Sequence, residues 1–72
     1  MNPYEELANA IVLSAVRDYR KALKRLKLYP WDSHARGVKR ECERFFRSGW
    51  FATLTSVDGE VLLEKLQAEV AA

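Results

Sequence analysis

The stretch between Pro3 and Pro30 contains neither glycine nor proline, which allows an uninterrupted helix. Apolar residues recur within it at every third or fourth position, the spacing of one face of an α-helix. Asn2 followed by Pro3 is typical of a helix start, because Asn caps the free amides and Pro fits the first turn. The sequence therefore predicts one long helix over 3–27. Its inward stripe is Tyr4, Ala8, Ile11, Ala15, Tyr19, Ala22 and Leu26, widened by Val12 and Leu23.

The rest of the chain divides into three shorter helical segments. Pro30 disfavours helix in the residue before it, and no two-residue alternation predicts a strand. Gly37 either weakens its helix or marks a close approach. The prediction is an all-α single domain over 1–72: a small helical bundle with the long helix antiparallel to the second, closed by a short turn and a C-terminal helix. The shorter segments cover 33–47, 49–54 and 59–70, capped by Asp32 or Ser33, by Ser48 and by Asp58.

A chain of 72 residues buries a small core and needs efficient packing or self-association. Cys42 is the only cysteine and His34 the only histidine, so we expect no disulfide, no metal site and no cofactor. Runs without charge, such as 7–16, are shorter than the roughly 20 residues of a membrane span. No basic leader precedes them, so we expect a cytoplasmic protein with no membrane partner.

Charge is unevenly distributed along the chain. Residues 1–16 carry two Glu and no Lys or Arg, whereas residues 17–47 carry eleven Lys/Arg against four Asp/Glu. This asymmetry predicts an anionic partner for the middle of the chain, although basic faces that only contact solvent are the alternative. Whether the two basic helix faces share a groove depends on helix rotation, which the sequence leaves open. The candidate phosphate ligands are Arg17, Arg20, Lys21, Lys24, Arg40, Arg44 and Arg47.

The segment "CERFFRSGWFATL" concentrates aromatic side chains beside arginines. On a helical wheel Phe45 and Phe46 lie opposite the arginines, so we predict that both are core residues. Three other rings are candidates for stacking on a ligand: Tyr19, Trp31 and Trp50. For the rings in turns, the alternative is that they cover the end of the core.

The N-terminal half of the long helix is apolar on nearly all sides ("LANAIVLSAV"). Such a helix is usually buried on more than one side, and a short chain has few elements to cover it. We therefore predict a homo-oligomer that self-associates through Leu13 and Val16. The alternative is that the last helix covers this surface within one chain.

The sequence gives little support for catalysis. Cys42 lies on an apolar helix face about two turns from His34, and neighbouring carboxylates point apart. No glycine-rich phosphate loop is present. We interpret the protein as a binding protein and not an enzyme.

The residues Glu41, Glu43, Phe45, Phe46, Ser48 and Trp50, followed by Asp58, Gly59 and Glu60, form the pattern E-x-E-x-F-F-x-S-x-W … D-G-E. This pattern resembles a family of small helical proteins from phages and prophages of Gram-positive bacteria. The resemblance implies an accessory viral protein that acts in the cytoplasm of a host bacterial cell. Together with the uneven charge, it favours a non-enzymatic counter-defence or host-takeover role.

Three hypotheses for function follow. The first is an oligomeric sponge that sequesters an anionic, nucleotide-type signal through the basic and aromatic residues. The second is an inhibitor or adaptor that binds a host protein through a helix face. The third is a nucleic-acid-binding regulator, whose affinity would fall steeply with salt.

Overall fold

The computed structural model describes residues 2–71, which form helices and no strand. The all-α fold is confirmed, and each predicted helix is present with ends that differ by at most one residue. The long first helix packs against the second, and the two shorter helices complete a small bundle. The helices are α1 Pro3–Leu28, α2 Ser33–Phe46, α3 Gly49–Leu54 and α4 Gly59–Ala71.

Each helix begins at a side chain that caps its first turn, as the sequence predicts. At α2 the cap is Asp32 and not Ser33. Such caps contribute about 1 kcal/mol each. The capping oxygens accept hydrogen bonds as follows: Asn2 from the amide of Tyr4 (2.7 Å), Asp32 from Ala35 (2.9 Å), Ser48 from Phe51 (3.1 Å) and Asp58 from Glu60 (2.9 Å).

The two longest helices run antiparallel and differ in length. At the connection Arg25 Nε contacts Asp32 Oδ2 at 2.7 Å, and towards the other end Ile11 of α1 and Phe45 of α2 line one groove. The 26 residues of α1 span about 39 Å, close to the molecule's longest dimension of 41 Å. The 14 residues of α2 span only about 21 Å. The first turns of α1 therefore extend beyond α2.

The core forms where the four helices meet, and aromatic rings occupy its centre. Phe46 packs edge-on against Tyr19 and Phe51, with ring centroids 5.8 and 5.5 Å apart. Phe46 is buried as predicted, whereas Phe45 is half-buried and packs against the rim of the core. The buried residues are Val16, Tyr19, Ala22, Ala35, Cys42, Phe46, Phe51, Leu63 and Leu66.

Gly59 lets the start of α4 approach the end of α2. A Cβ atom at position 59 would collide with the carbonyl oxygen of Phe46, a backbone atom that has little freedom to move. The φ angle of Gly59 is not positive, so the requirement for glycine is space. At Gly37, by contrast, an added Cβ would meet no atom within 4 Å, so no described residue approaches that glycine closely.

Within residues 2–71, no helix combines the length and the apolar character needed to cross a membrane.

Candidate interaction surface

Tyr19 is a core residue, so the prediction that its ring stacks on a ligand is wrong. Its exposed fraction is 0%, because the ring is enclosed between α1, α2 and α4. The hydroxyl donates to Glu43 Oε2 at 2.8 Å and accepts from Gln67 Nε2 at 3.0 Å. Burial is the main cause that raises the pKa of Tyr19 to about 12, so the phenol is neutral at physiological pH.

Val16 is also internal, so its predicted role in self-association is wrong. It lies on the same side of α1 as Tyr19 and packs in the core shared with α4. Leu13, three residues earlier, is rotated about 60° from Val16 and about 120° from Tyr19 around the helix, and it is 61% exposed. The alternative of burial within one chain therefore holds for Val16 and not for Leu13.

Two of the seven candidate phosphate ligands form ion pairs with α4. Arg20 contacts Glu69 through both Nε (2.6 Å) and a terminal nitrogen (3.1 Å). Arg47 Nε contacts Glu60 at 2.6 Å. The Arg20 guanidinium holds the pKa of Glu69 below its usual range. Because the partners are exposed, each pair contributes little to stability, but it does reduce the positive potential offered to a ligand.

The remaining basic residues lie on two helix faces that point apart. Arg17, Lys21 and Lys24 lie on the side of α1 opposite buried Tyr19. Arg40 and Arg44 lie on the side of α2 opposite buried Cys42. Since α1 and α2 pack through their buried sides, the two basic faces do not form one groove within a chain.

A groove between α1 and α2 does exist, but its charge is mixed. It has a volume of 630 Å³, and Lys21 is the one candidate phosphate ligand among the residues that line it. Arg25 and Asp32, also at this groove, neutralise each other at 2.7 Å. The amide of Ala35 and then Arg25 hold the pKa of Asp32 below its usual range. This groove is poorly suited to a polyphosphate.

Trp31 and Trp50 are both exposed, at 74% and 58%, but lie far apart along α1. Trp31 follows the end of α1 and packs edge-on against Tyr29, with the ring centroids 5.9 Å apart. Trp50 packs against Phe45, with the ring centroids 5.5 Å apart, and lines a groove together with Ile11. Ile11 and Tyr29 are separated by roughly 27 Å along α1, so the two indoles cannot stack on one ligand within a chain.

The structure reveals an apolar surface that we call the N-terminal ridge: Tyr4, Leu7 and Ile11 of α1 with Trp50 of α3. The three α1 side chains recur at three- and four-residue steps and so share one side of the helix. Tyr4 is 81% and Leu7 60% exposed, while Ile11 is half-buried. A shallow groove of 230 Å³ adjoins the ridge, and Ile11, Phe45 and Trp50 line it.

The periodicity predicts that Tyr4 lies on the inward stripe. That prediction is wrong, because the first turns of α1 extend beyond α2 and no other helix covers Tyr4. The predicted first helix, 3–27, is much longer than the predicted second helix, 33–47. This difference in length already indicates that part of the first helix is left uncovered. Several exposed large apolar side chains near one end of a small chain, with aromatic residues among them, are characteristic of a protein-binding site.

Two features of residues 2–71 bear on chemistry other than binding: the possible metal ligands and the Cys42 thiol. No cluster of three His, Cys, Asp or Glu residues could hold a metal ion there. Cys42 is buried, and burial raises the pKa of its thiol, with Asp18 and Glu41 acting in the same direction. A buried thiol with a raised pKa is a poor nucleophile.

Comparison with family models, curated proteins and solved structures gave no match to this chain. The resemblance to phage proteins thus stays a prediction.

Proposed function

We propose that this chain is a non-enzymatic protein that binds another protein through the N-terminal ridge. The observation that carries the proposal is the exposure of Tyr4, Leu7 and Trp50. The first two share one side of α1 with Ile11, and Ile11 lines a groove with Trp50. Water contact with three large apolar side chains is unfavourable, and burying each fully against a partner is worth about 1.5–3 kcal/mol. A surface of this kind supplies binding energy that the exposed cations do not.

The ridge resembles the helix-in-groove mode of recognition. In that mode large side chains at positions i, i+3 and i+7 of one helix enter an apolar groove of the partner. Tyr4, Leu7 and Ile11 have this spacing. We propose a host protein as the partner, bound stoichiometrically in the cytoplasm of a bacterial cell, so that the chain acts as a phage-type inhibitor or adaptor.

The test compares three substitutions of exposed apolar residues. Leu7→Glu and Trp50→Glu place a charge within the ridge, whereas Leu28→Glu places one at the far end of α1, where Leu28 is 71% exposed. Tagged proteins are used for quantitative capture from a Gram-positive bacterial lysate, after circular dichroism has established that all three are folded. The captured protein is then purified and titrated against each variant.

We expect Leu7→Glu and Trp50→Glu each to weaken binding of the same protein by about 30-fold, the effect of losing one hot-spot residue. Leu28→Glu should bind like the wild type. Equal binding by all three variants would contradict the proposal, as would capture of no protein in stoichiometric amount.

A second candidate function is supported by the cations that stay unpaired. Within residues 2–71, Arg17, Lys21, Lys24, Arg40 and Arg44 form no ion pair, and all five are exposed. Because the two basic faces point apart, a phosphate pocket would need residues from two copies. We therefore propose a nucleotide sponge only as an oligomer, with Leu13 in the subunit contact.

Native mass spectrometry of the protein purified from phage-infected cells tests this candidate. An oligomer that retains a nucleotide-sized mass supports the sponge, and a ligand-free monomer contradicts it. Nucleic-acid binding along either basic face would instead give an affinity for any polyanionic strand that falls steeply with salt.

A further inference from the structure

The side of α1 that faces away from the core carries a second exposed surface, which we call the outer seam. Its members are all exposed and recur at steps of three or four residues, so they share one side of the helix. Leu13 is its large apolar residue. The outer seam consists of Glu6, Ala10, Leu13, Arg17, Lys21 and Lys24.

The two ends of the outer seam carry opposite charge. Glu5 and Glu6 are the only charged residues in 1–16, while residues 17–28 carry six Lys/Arg against Asp18. A parallel pair of such helices would set the cations of both copies side by side. An antiparallel pair sets the basic half of each copy against the acidic half of the other and also opposes the helix dipoles.

The spacing along the seam matches a two-fold axis at Leu13. Glu6 precedes Leu13 by about 10 Å along the helix, and Lys21 follows it by about 12 Å. In an antiparallel pair centred on Leu13, these near-equal distances bring Glu6 opposite Lys21 of the partner subunit. Symmetry produces the same contact a second time, at the other end of the seam.

We propose that the outer seam pairs antiparallel with the seam of a second copy, with Leu13 on the two-fold axis and Glu6 opposite Lys21 of the partner subunit. This arrangement rests on the self-association proposed for Leu13 and is independent of protein binding at the N-terminal ridge. Leu7 and Leu13 point about 120° apart around α1, so a dimer would leave both ridges accessible.

Sedimentation velocity across a range of protein concentrations, at low and high salt, tests the proposal. Glu6→Lys and Lys21→Glu each replace two attractive contacts with two repulsive ones, and each should weaken dimerisation about tenfold at low salt. The double variant Glu6→Lys/Lys21→Glu exchanges the charges and should restore the dimer to within about threefold of the wild type. Leu13→Glu, which brings two carboxylates together on the axis, should abolish it.

Arg36→Glu on the outer side of α2 is the matched control for Lys21→Glu, because it changes the net charge equally and lies away from the seam. We expect it to dimerise like the wild type. A dimer that responds equally to Arg36→Glu and Lys21→Glu, with no recovery in the double variant, overturns the antiparallel arrangement while self-association stands. A wild-type monomer at every concentration overturns self-association as well, and leaves the capture experiment on the ridge as a separate result.

Discussion

The hydroxyl of Tyr19 in α1 donates a 2.8 Å hydrogen bond to Oε2 of Glu43 in α2, 24 positions later in the chain. The same hydroxyl accepts a hydrogen bond from Gln67 in α4. One buried side chain therefore connects the three longest helices. Its ring contributes apolar packing and its polar tip is fully satisfied, so it fixes how these helices sit against each other.

Tyr19→Phe should destabilise the protein by about 1–3 kcal/mol, because Glu43 and Gln67 each lose a hydrogen bond at a partly buried site. Chemical denaturation followed by circular dichroism measures this free energy of unfolding. Tyr4→Phe is the matched control, since Tyr4 is 81% exposed. It should change the free energy of unfolding by less than about 0.5 kcal/mol. Equal effects of the two substitutions would show that the Tyr19 hydroxyl does not connect the helices.

The stability of the protein should fall in alkaline solution because of Tyr19. Burial raises its pKa from 10.0 to about 12, so the folded state favours the neutral phenol. This stabilisation is complete below pH 10 and is lost as the pH rises towards 12. Across this pH interval, the free energy of unfolding should fall more steeply for the wild type than for Tyr19→Phe. Parallel curves for the two proteins would contradict the assignment.

Glu43 should contribute a matching loss of stability in acid. Burial alone would raise the pKa of Glu43, but hydrogen bonds from Lys39 and Tyr19 outweigh burial and hold it below its usual range. The folded state thus favours the carboxylate. The stabilisation is present above the unfolded pKa of about 4.3 and is lost as the pH falls through the folded value.

Glu43→Gln should therefore flatten the dependence of unfolding free energy on pH below about 4.3. The same substitution at Glu64, an exposed residue of α4, is the control for the loss of one carboxylate. An unchanged slope in Glu43→Gln would mean that the ion pair with Lys39, at 2.9 Å, does not hold in solution.

Two Gly→Ala substitutions should change stability in opposite directions. At Gly59 an added methyl group collides with the carbonyl of Phe46, so α4 must shift and the protein should lose about 1–3 kcal/mol. At Gly37 the methyl group meets no atom within 4 Å and improves helix propensity, so the protein should gain up to about 1 kcal/mol. Thermal unfolding of the two variants measures both effects. Stabilisation by Gly59→Ala would contradict the close approach of α2 and α4.

The helices and their caps could be predicted from sequence because they depend on local chemistry. Asn2, Asp32, Ser48 and Asp58 accept from amides only two or three residues away, and such contacts need no tertiary structure. The spacing of apolar residues likewise placed Tyr19 on the inward stripe. That placement was correct, and it was incompatible with the additional role of Tyr19 in stacking.

The candidate site was less predictable, because it depends on how the helices rotate and where they end. Arg17 and Arg40 lie on faces that point apart because α1 and α2 pack through their opposite, buried sides, which include Ala22 and Ala35. Tyr4 follows the inward periodicity, yet no element of the chain reaches far enough to cover it. Gly59 was correctly placed after a cap, but its contact with Phe46 depends on the angle between α2 and α4.

Site-specific photocrosslinking in bacterial cells tests the central claim, that the N-terminal ridge contacts another protein. A photoreactive benzoyl-phenylalanine replaces Leu7 or Trp50 in the ridge and Leu28 outside it, and adducts are identified by mass spectrometry. The account predicts one discrete adduct with the same second protein from positions 7 and 50, and none from position 28. The absence of an adduct at positions 7 and 50, or the same adduct from all three positions, would contradict it.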